Sequence, residues 1–131
     1  MSVARWFGLF GICILGVPAQ AQQAQWTPFS EEDGYTLMTG VPAVKDGITE
    51  IDLLFVYEQP RPHLDHWFYN SVRQTFQYDC AQKAYRVTRL EMFEDKVGGG
   101  KAIARRTFND PLQEFRPDTR AGLLAKVACA K

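Results

Sequence analysis

Two cysteines, Cys80 and Cys129, remain in this chain once its opening residues are read as a removable leader, and nothing else in it constrains the fold as much. The leader is legible in its parts. Arg5 and the amino terminus supply positive charge, and Trp6 to Val17 runs WFGLFGICILGV without a charged residue. As a helix this stretch would span about 18 Å, well short of a hydrocarbon core of about 30 Å, so a retained anchor is disfavoured. Pro18 follows, then Ala19-Gln20-Ala21, the small-x-small pattern after which signal peptidase cuts. Residues 1–21 are therefore read as a secretory signal and 22–131 as one small domain. Cys13 leaves with the signal. Ile12 stands where a lipoprotein signal would place a small residue, so no lipid or other stable membrane anchor is expected after cleavage. The expected location is the periplasm or the medium.

An exported chain with an even pair of cysteines points to a single intramolecular disulfide. Closing a loop of about 50 residues would contribute about 4 kcal/mol in the chain-entropy picture. That is a large share of the ~5–15 kcal/mol by which domains are stable. Two free buried thiols and a metal pair are the competing readings, although a zinc site wants four ligands.

Charge excludes one broad class. Basic and acidic residues number 15 each, whereas a nucleic-acid binder needs an excess of Lys and Arg to displace counterions. The charge is unevenly spread. Residues 22–58 carry seven acids and one base, and residues 59–131 carry thirteen bases and eight acids. Acidic and basic strands can neutralise each other across one sheet. A basic edge around Lys101, Arg105 and Arg106 can also meet an acidic partner.

Hydrophobic patterning predicts an antiparallel meander. Trp26, Phe29, Tyr35 and Leu37 suggest an opening strand broken by Glu31-Glu32-Asp33, and Ile51 to Tyr57 (IDLLFVY) reads as a central strand. Glu58 to Asn70, opened by Pro60 and Pro62, reads as a long connection. From Val72 to Cys80 the alternation sends Phe76, Tyr78 and Cys80 inward and charge outward. Tyr85 to Phe93 follows, its alternation blurred around Arg89 as by a bulge. Gly98-Gly99-Gly100 turns the chain into Lys101 to Phe108. Pro117-Asp118-Thr119 then starts a short helix, capped by Asp118 or Thr119, with Ala121, Leu124, Val127 and Ala128 facing the sheet. Cys129 falls off that stripe at 100° per residue, so either the last turn must unwind or the helix must end near Ala128 for a bridge to close. The fold class is α+β: about five to six antiparallel strands with a C-terminal helix packed on one face.

The chemistry-bearing motifs are thin. His63-Leu64-Asp65-His66 could hold a metal by residue type, but the segment follows two prolines and no further ligand is evident. Val97 to Lys101 lacks the spacing and the Ser/Thr of a phosphate loop. Ser30 and Ser71 sit in no nucleophile elbow. No catalytic set and no cofactor are expected. Trp67-Phe68-Tyr69 is the remaining candidate surface, since three successive aromatics cannot all face one core; loop anchors packed on the sheet are the competing reading.

The order of short motifs is familiar. Tyr78-Asp79-Cys80 ends one strand and Tyr85-Arg86-Val87 runs in the next; a glycine turn, Pro117 to Thr119 and Ala128-Cys129 follow. Over roughly Ile51 to Cys129 the chain resembles the surface-adhesin protein E-like family of small exported bacterial proteins. The resemblance implies an antiparallel sheet with a C-terminal helix linked by Cys80 and Cys129. The namesake is an outer-membrane lipoprotein adhesin that binds host matrix proteins, and this chain departs from it in lacking a lipidation cysteine. The expectation is a non-enzymatic exported binding domain recognising a protein or cell-envelope component, with Lys101, Arg105, Arg106 and Trp67 as its partner-binding residues. A periplasmic structural or stress-related role is the second reading, and a metal-dependent enzyme using His63, Asp65 and His66 the third.

Overall fold

The computed structural model describes residues 25–65 and 68–131; residues 1–24, on which the expected leader falls, and His66 and Trp67 lie outside the described residues. Within them the chain forms β1 (Thr27–Glu32), β2 (Tyr35–Thr39), β3 (Ala43–Lys45), β4 (Ile48–Pro62), β5 (Phe68–Asp79), β6 (Ala84–Phe93), β7 (Ala102–Thr107), β8 (Gln113–Glu114) and the helix α1 (Arg120–Ala128). All pairings are antiparallel, in the order β1-β2-β4-β5-β6-β7. The short β3 joins β4 beside β2, and the short β8 joins β6 beside β7. Three long strands thus form the middle of the sheet, and each flank is pieced together from shorter ones.

The described strand count is eight, against the five to six expected. The acidic run does not interrupt one opening strand; Asp33-Gly34 turns it into the β1–β2 hairpin, with Gly34 at a φ of +88° that an L side chain resists. β3 and β8 are too short to show any period. The supposed long connection is also mostly strand. β4 runs on to Pro62 and β5 starts at Phe68, with an irregular register between Val56 and Arg61. Pro60 is tolerated because it falls in that irregularity, and Pro62 because it lies at the strand's end.

The alternation in β5 sets the core. Val72, Phe76 and Tyr78 point with Ile51, Leu53 and Phe55 of β4 to the face covered by α1, which contributes Leu124, Ala125 and Ala128. The blur in β6 is a true irregularity: Thr75 pairs Arg89 and Phe76 pairs Val87, so Thr88 is the extra residue. The helix begins where Thr119 accepts a hydrogen bond from the Gly122 amide at 3.1 Å and ends at Ala128 with Cys129 as its cap. Cys129 then reaches Cys80 in a disulfide with a Cα–Cα distance of 5.7 Å. Tyr78 adds a second tie, its buried hydroxyl donating to the Ala121 carbonyl at 2.6 Å.

The opposite face departs from the expected picture of outward charge. Thr75, Glu91, Leu54 and Phe93 are all buried there. The stretch after β6 folds back over it: a Cβ on Gly98 would lie 3.1 Å from Leu54 Cδ1 and 3.6 Å from the Phe93 ring. The sheet is therefore covered on both sides, by a helix on one and by a loop and long side chains on the other.

Candidate functional site

Antiparallel register carries Leu54, Arg73, Glu91 and Arg105 in one row across β4, β5, β6 and β7, all on the face away from α1. Glu91 is 1% exposed. Arg73 donates through Nε at 3.2 Å and Nη2 at 2.7 Å to Oε1, and Arg105 donates through Nε at 3.1 Å and Nη2 at 2.8 Å to Oε2. Arg89 adds an ion-pair contact, its Nε 3.2 Å from Oε1. Burial alone would push the Glu91 carboxyl up. Hydrogen bonds from Arg73 and Arg105 and the charges of Arg73 and Arg89 overcome it and hold the group below the usual carboxylate range. Next to this row, Thr75 donates to Asp52 at 2.7 Å, and Arg86 donates to Gln77 at 2.9 Å. One buried carboxylate thus gathers three guanidinium groups, and the arginine side chains remain 22%, 40% and 61% exposed for Arg73, Arg89 and Arg105.

The residues expected to form a basic edge are not gathered at one point. Arg105 is committed to Glu91. Arg106, its neighbour in β7, points to the other face, where its guanidinium lies 5.8 Å over the Phe108 ring. Lys101 precedes β7 and borders a cleft with Glu94 and Asp95. Arg105 and Arg106 do share the walls of one groove of about 390 Å³. Leu90, Met92 and Ala104 form its floor, and His63 and Asp65 close it from the β4–β5 hairpin. Trp67 belongs to that same hairpin by sequence, outside the described residues.

His63 and Asp65 are local partners rather than an assembled ligand set: the Asp65 amide donates to His63 Nδ1 at 3.2 Å. His63 also meets the Tyr69 ring edge-on at 6.3 Å. Among the described residues no group of three His, Cys, Asp or Glu stands close enough to hold a metal ion. Ser71 donates to the Asp95 carbonyl at 2.6 Å and is fully buried, an anchor for the loop after β6.

Sequence reasoning missed Glu91. Its signal was a lone acid within Leu90-Glu91-Met92-Phe93, a charge on a strand whose neighbours are apolar. The even spacing of Arg73, Arg89 and Arg105 could not be recognised as one cluster before the register was known.

Among the described residues no helix is long and apolar enough to cross a membrane. Residues 22–130 match a family model described as surface-adhesin protein E. No curated protein and no solved structure matches the chain.

Proposed function

The chain belongs to the surface-adhesin protein E family, and from that premise we infer that it is an exported, adhesin-like binding domain without catalytic activity. The mature domain runs from residue 22 to 131 after removal of the signal, and it acts in the periplasm or beyond it. Its partner is a protein or a cell-envelope component, engaged by Arg105 and Arg106, with Lys101 and Trp67 extending the contact.

The observation that supports this reading is the groove between β6–β7 and the β4–β5 hairpin. It joins an apolar floor of Leu90, Met92 and Ala104 to two arginines and the hairpin that bears Trp67. Apolar floors rimmed by Arg and aromatic side chains are the composition of protein-recognition surfaces. Arg106 is the clean probe because Arg105 also holds Glu91. Surface plasmon resonance of the mature chain against purified matrix and envelope proteins should give saturable, salt-sensitive binding. Arg106→Glu should weaken it about tenfold or more, as charge reversal at a complementary rim does. Binding unchanged by that substitution would remove the groove from the interface.

A further inference from the structure

On the helix-bearing face an aromatic surface extends outward from Phe55, which is buried beneath Arg120 at the start of α1, onto three tyrosines beyond it. Tyr35, Phe55, Tyr57 and Tyr69 form a continuous chain of rings, with centroids 5.8 Å apart for Tyr35–Phe55, 6.0 Å for Tyr35–Tyr57 and 5.7 Å for Tyr57–Tyr69. The three tyrosines are only half-buried. Two guanidinium groups lie on this surface. Arg61 sits 4.8 Å over the Tyr57 ring, and Arg120 sits 5.3 Å over Phe55 while donating to the Tyr35 hydroxyl at 3.0 Å.

Neither arginine is neutralised. Among the described residues no carboxylate lies within ion-pair distance of Arg61 or Arg120, unlike Arg73, Arg89 and Arg105. Glu32 borders a neighbouring groove together with Arg120, but its carboxylate accepts from Ser30. The hydroxyls of Tyr57 and Tyr69 also have no hydrogen-bond partner among the described residues. Both arginine charges reach the Tyr57 phenol, where they oppose the larger effect of burial. Among the described residues, two guanidinium groups without a carboxylate partner and two hydroxyls without a hydrogen-bond partner therefore surround one aromatic floor.

We propose that this surface binds an acidic polysaccharide: sugar rings lie on the tyrosine floor, and the carboxylate or sulfate groups are held by Arg61 and Arg120. Guanidinium groups match such oxyanions with paired N–H donors, and stacking on a ring pre-orients the fork. Tyrosine supplies apolar area and a hydroxyl together, which suits a ligand that also carries both. An acidic peptide is the weaker fit. Peptides favour exposed sheet edges that offer backbone hydrogen bonds, and here β4 beyond Tyr57 is interrupted by Pro60 and Pro62, which have no N–H to give. The site uses none of the residues assigned to the protein-binding groove, so it stands whether or not that groove has a partner.

Isothermal titration of the mature chain with chondroitin sulfate, neutral dextran and poly-glutamate tests the assignment. Saturable binding of chondroitin sulfate, at least tenfold tighter than poly-glutamate, with no binding of dextran, is the expected result. Arg61→Gln/Arg120→Gln should weaken chondroitin sulfate binding at least tenfold. The exposed Arg61→Gln alone should weaken it about threefold without altering the thermal midpoint, which guards against a folding artefact. Unchanged affinity in a folded double variant overturns the proposal, as does poly-glutamate binding as tightly as the glycan, or no saturable glycan binding at all.

Discussion

The two faces of this sheet bury side chains by opposite means. Under α1 the buried groups are Leu37, Ile51, Leu53, Phe76 and Leu124, and the cover is pinned by a covalent bond and a tyrosine hydroxyl. On the other face the most buried ionisable group is Glu91, held by arginines that themselves reach solvent. An apolar face is stabilised by area removed from water and tolerates imprecise contact, whereas a buried carboxylate is stable only while its hydrogen bonds are complete. The helix-bearing face should therefore fail by loosening, and the helix-free face by losing a partner.

The largest expected effect comes from unpinning the helix. Cys80→Ser/Cys129→Ser removes a cross-link spanning 49 positions, which should cost about 4 kcal/mol of unfolding free energy. Chemical denaturation under matched conditions measures the loss. If the two faces are independent in the way described, hydrogen exchange should rise first in α1 and in the strand segments beneath it. The amides around Arg73 and Glu91 should retain their protection. Uniform loss across the sheet would show that the helix supports both faces.

Glu91→Gln attacks the other side. Removing one partner of a buried ion pair costs about 3–5 kcal/mol, and partial solvation of the arginines places this case near 3 kcal/mol or somewhat below. The pH dependence sharpens the test. The folded Glu91 carboxyl is held below its ordinary range, so its contribution is fully present above the unfolded carboxylate pKa and is lost as pH falls through the folded one. The stability gap between native protein and Glu91→Gln should stay constant from about pH 6 to 8 and shrink below about pH 4. A gap that persists into acid would mean that the carboxylate charge is not what holds the row together.

That asymmetry also explains what the sequence disclosed. The helix-bearing face follows from short-range rules: alternation in Val72 to Cys80, a cap at Asp118 or Thr119, of which Thr119 is used, and a stripe that leaves Cys129 to one side, met by a helix that ends at Ala128. Even the disturbance in β6 was visible, one residue from the extra Thr88. The helix-free face depends on which residues become cross-strand neighbours. Arg73, Glu91 and Arg105 are far apart in the chain, and only the register through β5, β6 and β7 makes them one row. The prolines misled for a related reason, because their effect depends on whether a neighbouring strand needs their missing N–H. Gly122 was also silent in the sequence. A Cβ there would run into the Arg116 carbonyl, so the glycine lets the chain entering α1 pass against the helix. Gly122→Ala should lower the thermal midpoint despite alanine's better helix propensity.

The smallest effect asks whether the helix-bearing face is purely apolar. Tyr78 is fully buried, and its ring stacks with Phe76 and Tyr85 at centroid distances of 6.2 Å and 6.0 Å. Its hydroxyl bond to Ala121 is the polar tie that crosses from sheet to helix, while burial and the neighbouring Tyr85 raise the phenol's pKa far above its usual value. The group therefore stays protonated and donating throughout the accessible pH range. Tyr78→Phe keeps the ring and its stacking but removes the donor, so it should cost about 1 kcal/mol, with no pH dependence of its own. In the protein lacking the disulfide the same substitution should cost more, since the hydroxyl bond would then carry the docking of α1 with packing alone to assist it. Equal costs in the two backgrounds, measured by a double-mutant cycle, would mean that the two ties act independently on the helix.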